Sequence, residues 1–554
     1  MHLGRQLLVL SLLVGGLALP STKSTIWPRD LRIPDPNEYN YTKDNPYQIP
    51  PRPNGLDIRQ PNMILFMPDQ LRYDSVGIFG NEIIQTPNID AFAREGIKFT
   101  NTFIQAPTCS QSRCSMFTGQ YPHVSGHRTL HNLLKPWEPN VFRSMRESGY
   151  HVASLSPRGD LYAENATEES LSEYGFLLDQ GLPKFAKESY QPDKDNIWNR
   201  LFYLGKRNST ASQDYDKTVI DGALKWLEYP PKEPWLLFLP LQFPHPPFTV
   251  EEPFFSMYNR KDMPIPVSKE EKTGYLPRFM TTLAKEQGSI RATDEQWQEV
   301  IATYYGMVSR VDHQLGQIIN KTKDLGLWNK TVTAFFTDHG EFLGDYGLVE
   351  KWPSGVSENL VHEPLVIGGT GLPQGKTYSE MAEMIDLVPT LLQLGGANET
   401  YQHYGISLVE AMNALGDDNG TVIPHKDYAF TEGGFLREDE PLLEQGPFPY
   451  DIKGALQHDD PALVGMTLAV RDKNYTYVYR LYEADELYDR TSDVHERHNL
   501  AEVPEYAAVR AKMREVALKW LVATPGTLPW YRDNRDPQVS LESPYDQYLK
   551  RKSG

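Results

Sequence analysis

The amino-acid sequence predicts an α/β protein in which helices cover a mostly parallel sheet and a smaller C-terminal α+β subdomain follows. Two observations support this class. Apolar runs that end in polar residues or proline are typical of buried strands, and they occupy residues 62–67, 151–155, 235–241 and 331–337. Segments with helical periodicity and glycine stops stand between these runs. Residues 463–500 then form shorter predicted strands, and a last helix is expected at 505–522.

Composition limits the classes of partner. The chain has 554 residues, of which 40% are hydrophobic and 23% charged, as expected for a globular protein of two or three domains. Its formal net charge is -18, which argues against general binding to nucleic acid or to anionic membranes. We therefore expect neither a nucleic acid nor a membrane as partner.

The N-terminus has the pattern of a secretory signal peptide over residues 1–20. A short positive start precedes an apolar run at 7–19, and the small residues Ala18 and Ser21 suit cleavage nearby. The apolar run is too short for an ordinary membrane span, although an uncleaved anchor is the alternative. Residues 21–60 are rich in proline, asparagine and charge, and we expect an extended arm there.

N-x-S/T sequons indicate a glycoprotein of the secretory pathway, when they are taken together with the signal peptide. Eight occur, at Asn40, Asn165, Asn208, Asn320, Asn329, Asn398, Asn419 and Asn474. The sequence therefore predicts a secreted, N-glycosylated protein.

Residues 107–119 read P-T-C-S-Q-S-R-C-S-M-F-T-G and form the stretch with the clearest chemical content. A short helix is expected over 112–117, with Gly119 as its stop. Cys109 and Arg113 would then lie around a helix N-terminus, where backbone N–H groups favour an anion. A nucleophile beside an anion site is what hydrolysis of a charged ester requires. The alternative is a buried helix without chemistry.

The chain has only two cysteines, Cys109 and Cys114. Five residues along a helix separate Cα atoms by roughly 8 Å, which is beyond disulfide reach. We therefore expect no bridge between them, and we assign Cys114 to packing.

Polar pairs follow two of the predicted strands and suggest a metal site. Asp69 and Gln70 end the first strand, and Asp338 and His339 end the strand at 331–337. Ligands of open α/β sheets gather at the carboxyl ends of strands. Three oxygen-bearing side chains and one imidazole suit a divalent cation; oxygen dominance favours Ca²⁺, and the histidine leaves Mn²⁺ or Mg²⁺ open. The alternative for Asp69 is a turn residue without a ligand.

The stretch around Cys109 resembles C-x-P-S-R-x-x-x-L-T-G, the signature of type I sulfatases in the alkaline phosphatase superfamily. Gln111 stands where proline is usual, and Phe117 where leucine is usual. The resemblance implies that Cys109 is oxidised to formylglycine, whose hydrate attacks sulfur. It also implies a formylglycine-generating enzyme as a partner during maturation.

Further motifs occur in the same order as in that family. The string D-Q-L-R-Y-D-S-V-G-I-F-G-N, from Asp69, resembles the sulfatase N-terminus, and its Asp-Gln pair is similar to choline sulfatases and phosphonate monoester hydrolases. H-P-P-F at His245 resembles the element with a sulfate-contacting histidine. D-H-G-E-F-L-G-D from Asp338, followed by Lys351, is a close match to the metal-binding element.

The resemblance implies a fold, domains and a set of site residues. The fold is the alkaline-phosphatase-like sheet sandwiched by helices, with a catalytic domain at 61–430 and the C-terminal subdomain at 431–554. Arg158 would replace the family's lysine at S-P-R-G-D, and Asp160 its histidine. The implied metal ligands and catalytic residues are Asp69, Gln70, Asp338, His339 and Cys109 for the metal, and Cys109, Arg113, His245, Lys351 and Arg158 for catalysis.

We therefore predict a secreted sulfatase acting on a small-molecule or carbohydrate sulfate ester. Two alternatives stay open at this point. One is a phosphonate or phosphodiester hydrolase on the same fold, and the other is an inactive sulfatase-like binding protein, favoured by Gln111. The alcohol of the substrate, whether aryl, sugar or choline, is not indicated by the sequence.

Overall fold

The computed structural model describes residues 60–156, 159–177, 190–207, 214–417, 420–528, 535 and 540–553. The predicted signal peptide, the arm up to residue 59 and Arg158 lie outside the described residues. Among the helices that the structure describes, none is both long and apolar enough to cross a bilayer.

Sixteen strands are present in the described residues, and their order along the chain follows the predicted alternation with helices. They are β1 Asn62–Asp69, β2 Gly96–Phe99, β3 Thr102–Phe103, β4 His151–Ser154, β5 Glu173–Tyr174, β6 Tyr203–Lys206, β7 Trp235–Pro244, β8 Phe248–Val250, β9 Thr331–Phe336, β10 Leu365–Gly369, β11 Lys376–Tyr378, β12 Ala382–Glu383, β13 Ala429–Gly433, β14 Thr467–Arg471, β15 Tyr475–Arg480 and β16 Glu486–Asp489.

The α-helices of the described residues range from single turns to one of 31 residues, α9. They are α1 Pro87–Arg94, α2 Cys109–Thr118, α3 Pro122–Ser125, α4 Val141–Glu147, α5 Ala166–Ser170, α6 Ile197–Arg200, α7 Tyr215–Glu228, α8 Arg278–Gln287, α9 Asp294–Asp324, α10 Glu358–Val361, α11 Leu387–Gly395, α12 Val409–Gly416, α13 Asp451–Asp459, α14 Ala507–Ala523 and α15 Pro544–Ser553.

The central sheet has eight strands in the order β11-β2-β10-β9-β1-β7-β4-β5. β1 lies between β7 and β9 and pairs in parallel with both, so that Leu65 is opposite Phe238 and Ala334. Only β10 runs antiparallel to its neighbours in this described sheet. The predicted mostly parallel sheet is therefore confirmed, and its central strands are buried as their apolar runs required.

Helices cover both faces of this sheet because alternate residues of each central strand point to opposite sides. Met63 and Leu65 of β1 belong to the core that contains Met116 of α2 and Leu391 of α11. Ile64 belongs instead to the core on the other face, which α7 and α9 complete. The predicted helix-covered sheet is thus confirmed, and α2 is held on one face of it.

The C-terminal part contains an antiparallel sheet, β13-β14-β15-β16, as predicted. α14 packs on it through Met513, Val516 and Trp520, and the Trp520 ring stacks on Phe430 at 4.6 Å between centroids. The predicted boundary at residue 430 falls inside β13, which begins at Ala429.

Candidate active site

The carboxyl ends of β1 and β9 meet in the middle of the central sheet. Asp69 is the last residue of β1, and Asp338 lies two residues beyond the end of β9. Because the two strands are parallel neighbours, the polar residues that follow them are brought to the same edge. The strand-end pairs that the sequence indicated therefore lie together, 268 residues apart in the chain: the N–H of Gln70 donates to Asp338 Oδ1 at 3.1 Å.

Asp69, Cys109, Asp338 and His339 form a cluster in which each offers one ligand atom, all within 4.8 Å of one another. Cys109 Sγ lies 3.0 Å from His339 Nε2 and 3.9 Å from Asp69 Oδ1. All four residues are buried. Two carboxylates, an imidazole and the side chain at position 109 are a donor set that a divalent cation can use.

The His339 ring is oriented so that one nitrogen faces the cluster. Nδ1 lies 2.9 Å from the carbonyl oxygen of Gly340, which can only accept, so Nδ1 carries the proton. Burial, with Lys351 nearby, lowers the pKa of His339 to about 4 against the pull of Asp338. The imidazole is therefore neutral near pH 7, and its Nε2 lone pair is directed at Cys109 and Asp69, as metal ligation requires.

Asp338 is held in the ionised form. Its Oδ1 accepts from the N–H groups of Gln70 and His339, and its Oδ2 accepts from Arg113 Nε at 2.8 Å. Burial alone would raise the pKa of Asp338, but the Arg113 guanidinium lowers it to about 2. Burial and the charge of Asp338 raise the pKa of Asp69. Two carboxylates this close compete for one guanidinium, and a cation between them would relieve the repulsion.

α2 places Cys109 and Arg113 one turn apart at the cluster. The helix begins at Cys109, three residues earlier than predicted, and ends at the expected Gly119, whose φ of 69° suits glycine. Both cysteines are buried and unbridged, in line with the expectation from helical spacing. Burial and the charge of Asp69 raise the pKa of the Cys109 thiol, so the unmodified side chain is a neutral thiol.

The guanidinium of Arg113 is engaged in three directions. Besides Asp338, it donates to Asp69 Oδ2 at 2.5 Å and to the carbonyl oxygen of Gly159 at 2.5 Å. It is 2% exposed. The structure thus places Arg113 behind the carboxylates, where it orients both of them, and its predicted contact with an oxyanion stays a prediction.

Gln70 contacts a different set of groups. Its Oε1 accepts from Lys351 Nζ at 2.8 Å, and its Nε2 donates to Glu341. Its backbone has a φ of 67°, which is unusual for a residue with a side chain, and its carbonyl accepts from Tyr304. Gln70 therefore links the cluster of Asp69, Cys109, Asp338 and His339 to Lys351, and its role as a ligand stays a prediction.

His245 and Lys351 lie together although 106 residues separate them. Lys351 Nζ is 3.1 Å from His245 Nε2, and His245 Nδ1 donates to the carbonyl of Pro246 at 2.5 Å. Burial and the positive charge of Lys351 lower the pKa of His245 to about 3. The imidazole is therefore neutral and accepts from the lysine, whose own pKa is raised because the negative charges of Glu350 and Asp69 outweigh the effect of burial.

A cavity of about 330 Å³ opens over these residues. Cys109, His245, Lys351 and Asp160 line it, so the predicted residue Asp160 reaches the cleft with an exposed side chain. Arg158 lies outside the described residues. The opposite wall comes from residues 435–457, which the sequence analysis did not assign to the site; its members are Phe435, Glu444, Gly446, Tyr450, Lys453, Gly454 and Gln457.

These wall residues carry little sequence signal. Tyr450 and Lys453 stand at the start of α13, in a stretch with neither the apolar run of a strand nor a recognisable motif. The one available hint is Lys453 with Gln457, a polar pair four residues apart among apolar neighbours, which marks one helix face.

Comparison with known proteins gives the family context. A family model described as Sulfatase matches residues 61–397, which is more than half of the chain. The chain is 26% identical over 523 residues to the multifunctional alkaline phosphatase superfamily protein PehA of Trinickia caryophylli, covering 85% of this chain and 98% of that protein. It is 24% identical over 467 residues to the choline-sulfatase of Rhizobium meliloti, with 80% and 83% covered.

A solved structure shows the same fold. The phosphonate monoester hydrolase of Agrobacterium radiobacter superposes with a TM-score of 0.64 at 24% identity, over 84% of this chain and 96% of that chain. This likeness confirms the predicted alkaline-phosphatase-like architecture.

Proposed function

This chain belongs to the sulfatase family and is a sulfuric ester hydrolase by that membership; from this premise we propose that it is a secreted, formylglycine-dependent sulfatase. The observation that carries the proposal is the position of Cys109. It begins α2, lines the cleft and lies 3.0 Å from His339 Nε2, inside a buried cluster with two carboxylates. A thiol used only for packing does not need these neighbours.

The donor set supports a divalent cation held by Asp69, Asp338, His339 and the side chain at position 109, with Gln70 as the further proposed ligand. We propose Ca²⁺, because oxygen donors dominate, with Mn²⁺ or Mg²⁺ as alternatives. When bound, such an ion acts as a Lewis acid on an ester oxygen. Arg113 keeps Asp338 ionised, and its contacts with Asp69 and Asp338 fix the orientation of both carboxylates.

Lys351 and His245 supply the polar groups on the open side of the cleft. Because His245 Nε2 accepts from Lys351 and its Nδ1 donates to Pro246, the neutral ring has no proton to give towards Lys351. Lys351 is the protonated member of the pair, so it is the better source both of positive charge for the ester oxygens and of the proton for the leaving alcohol.

The nucleophile requires conversion of Cys109 to formylglycine by a formylglycine-generating enzyme during maturation. Gln111, in the usual place of proline, is buried and donates to the carbonyl of Arg128 at 3.0 Å. Gln111 Oε1 is buried without a hydrogen-bond partner among the described residues, while the backbone of α2 keeps the hydrogen bond from Ser112 N to Thr108 O at 3.0 Å.

Peptide mass spectrometry across residues 107–119, with turnover of aryl sulfates measured on the same material, tests the mechanism. We expect an aldehyde at position 109 in active protein and loss of turnover in Cys109→Ala, with the fold kept because only a small cavity is left. Active material that contains only a thiol or a disulfide at position 109 would contradict the mechanism.

A phosphonate or phosphodiester hydrolase is the second candidate. The Asp69-Gln70 pair and the similarity to a phosphonate monoester hydrolase structure favour it. Turnover of matched aryl sulfate, phosphodiester and phosphonate esters distinguishes the two candidates, and we expect the highest kcat/KM for the sulfate. Higher kcat/KM for a phosphonate would reverse the assignment.

Secretion and glycosylation are supported by the signal peptide pattern and by the surface. Five of the eight sequon asparagines lie in the described residues, and all five are exposed: Asn165, Asn320, Asn329, Asn398 and Asn474. Treatment of the natively expressed protein with a glycosidase should increase its mobility on a gel. An unchanged mobility together with an intact Met1 would contradict export.

A further inference from the structure

We infer that Lys453 is a positioning residue of the cleft: it neutralises Glu350 and so leaves the positive charge of Lys351 available to the anionic group of a ligand. The inference rests on the proposed function for the identity of the anion, which is the sulfate group of the ester. The contacts of Lys453 do not depend on that function. Lys453 Nζ lies 2.5 Å from Glu350 Oε2, and Glu350 Oε1 contacts Lys351 Nζ. Glu350 therefore bridges two lysines.

Glu350, Lys351 and Lys453 together carry a net positive charge. Glu350 is next to Lys351 in the chain and in contact with it, so these two residues alone would have no net charge. Lys453 adds one positive charge, and the three groups together carry +1 at neutral pH. A cleft that binds an oxyanion needs that positive charge.

The compensation of the Glu350 charge by Lys453 is important because all three side chains are buried. Glu350 is 3% exposed, Lys351 7% and Lys453 5%. Solvent screens buried charges far less than exposed ones, and an uncompensated buried carboxylate is costly. Without Lys453, Glu350 would be paired with Lys351 alone, and this pair would offer no net positive charge to the cleft.

Lys453 also holds the backbone that presents Lys351. It donates to the carbonyl oxygen of Lys351 and reaches that of Val349 at 3.5 Å, so it contacts the chain on both sides of Glu350. Glu350 has a φ of 67°, a conformation that residues with a side chain adopt only when their surroundings impose it. Lys453 is one of those surroundings, from a segment more than 100 residues away.

The end of the chain of contacts is in the cleft. Lys351 Nζ reaches Gln70 Oε1 at 2.8 Å and His245 Nε2 at 3.1 Å. Because Gln70 adjoins Asp69 and contacts Asp338, the position of this amine connects the charges of Glu350 and Lys453 to the cluster that contains Cys109. Lys453 itself lines the cavity, so direct contact with a ligand is the competing role.

Charge rescue separates the two roles. The dissociation constant of inorganic sulfate is measured by calorimetry on the Ca²⁺-equilibrated protein, because sulfate keeps its charge across the working pH range. We expect Lys453→Met to weaken sulfate binding about tenfold or more, as for loss of one partner of a buried pair. Glu350→Gln should bind sulfate at least as tightly as the protein without substitutions, because it leaves the positive charges of both Lys351 and Lys453.

The double variant K453M/E350Q restores the net charge of +1. Its dissociation constant for sulfate should be within about threefold of that of the protein without substitutions, since the effects of contacting residues are not additive. If Lys453 contacts the ligand directly, the double variant will bind as weakly as K453M. That result, or an E350Q variant with weakened binding, would overturn the inference.

Lys426→Met is the matched control. Lys426 is a buried lysine paired with Glu383 and Asp386, and it does not line the cavity. It should lose stability as K453M does while its sulfate affinity stays unchanged. If K453M fails to fold, E350Q and Lys453→Arg carry the test, the arginine being expected to keep affinity within about threefold.

The readout also separates this inference from the proposed function. Sulfate affinity that follows the charge pattern in a protein without turnover of sulfate esters supports the role of Lys453 and contradicts the sulfatase assignment. Turnover of sulfate esters together with affinities that ignore the pattern supports the sulfatase and overturns the role of Lys453.

Discussion

The floor and the wall of the cleft are built from different parts of the chain and by different rules. The floor consists of Asp69, Cys109, Arg113, Asp338 and His339, presented by strand ends and the first two turns of α2. Every member is buried, and the five residues are joined to one another by side-chain contacts. Only a few residue types can ligate a cation or stabilise an oxyanion, and this restricts which residues can occupy these positions.

The wall, residues 435–457, faces the floor from the C-terminal side of the chain and mixes residue types. Phe435 and Tyr450 are aromatic, Glu444 is acidic, and Gln457 is neutral and polar. No single reaction requires this combination. We infer from the difference that the floor determines which bond is broken, whereas the wall, apart from Lys453, determines which alcohol is accepted.

The largest effect is expected from a substitution in the floor. Asp338→Asn keeps the shape of the side chain but removes the charge that faces Arg113 and the cluster. We expect kcat/KM to fall at least about 10³-fold for every ester and the bound metal to be lost, because a carboxylate ligand and the orientation of Arg113 are lost together. Metal content by mass spectrometry and turnover on two unlike esters are the measurements.

Asp312→Asn is the control for that substitution. Asp312 is a buried aspartate on α9 that accepts from the N–H groups of Asn88 and Ile89, remote from the cleft. It should keep its metal and most of its turnover. An Asp338→Asn protein with full metal occupancy would show that the cluster is not the metal site.

Much of the floor could be predicted because its signals are local. Apolar runs mark β1 and β9, and the residues that follow them are delivered to one edge by the parallel pairing of those strands. The sequence predicts the start of α2 late, at 112, because only the stop at Gly119 has a clear signal; in the structure Thr108 precedes the helix without a side-chain cap. Cys109 is therefore inside the helix, at its first position.

The wall could not be predicted because its contacts are non-local. Lys453 meets Glu350 across 103 residues, and nothing in the sequence near either residue indicates the other. The reversed direction of β10 is a similar case: Leu365–Gly369 is a short apolar run with the same pattern as a parallel strand. The tertiary fold determines which residues and strands pair, and these partners cannot be recognised from a single sequence.

A smaller effect concerns the joint between the C-terminal sheet and the body. His123 Nδ1 lies 2.6 Å from Glu432 Oε1 on β13, and its Nε2 lies 2.6 Å from the carbonyl of Thr524 after α14. Both nitrogens face acceptors, so although burial lowers the pKa of His123, Glu432 and Thr524 raise it above 6.5. The protonated ring therefore stabilises the joint.

The sign of the pH dependence follows from that shift. Because the folded pKa is raised, the stabilisation is fully present below pH 6.5 and is lost as the pH rises through the folded pKa. We expect His123→Gln to lower the free energy of unfolding by about 1 to 2 kcal/mol at pH 5.5 and by less at pH 9. Denaturant titrations at both pH values measure it, with His313→Gln, an exposed residue of α9, as the control that should show no such difference.

The smallest expected effect is also the one that tests the wall alone. The hydroxyl of Tyr450 is buried and has no hydrogen-bond partner among the described residues, while its ring contacts Phe202 at 4.8 Å between centroids. Removing an unpartnered buried hydroxyl costs no hydrogen bond, so Tyr450→Phe should keep or raise the free energy of unfolding, by up to about 1 kcal/mol.

The effect of Tyr450→Phe on turnover should depend on the ester. If the wall selects the alcohol, KM should rise about threefold to tenfold for the preferred substrate and remain unchanged for a small aryl sulfate, with metal content intact. Tyr401→Phe is the matched control, because that hydroxyl is also buried and unpartnered among the described residues but lies outside the cleft lining. Equal losses on all esters would place Tyr450 with the floor, since a group that acts on the breaking bond affects every substrate alike.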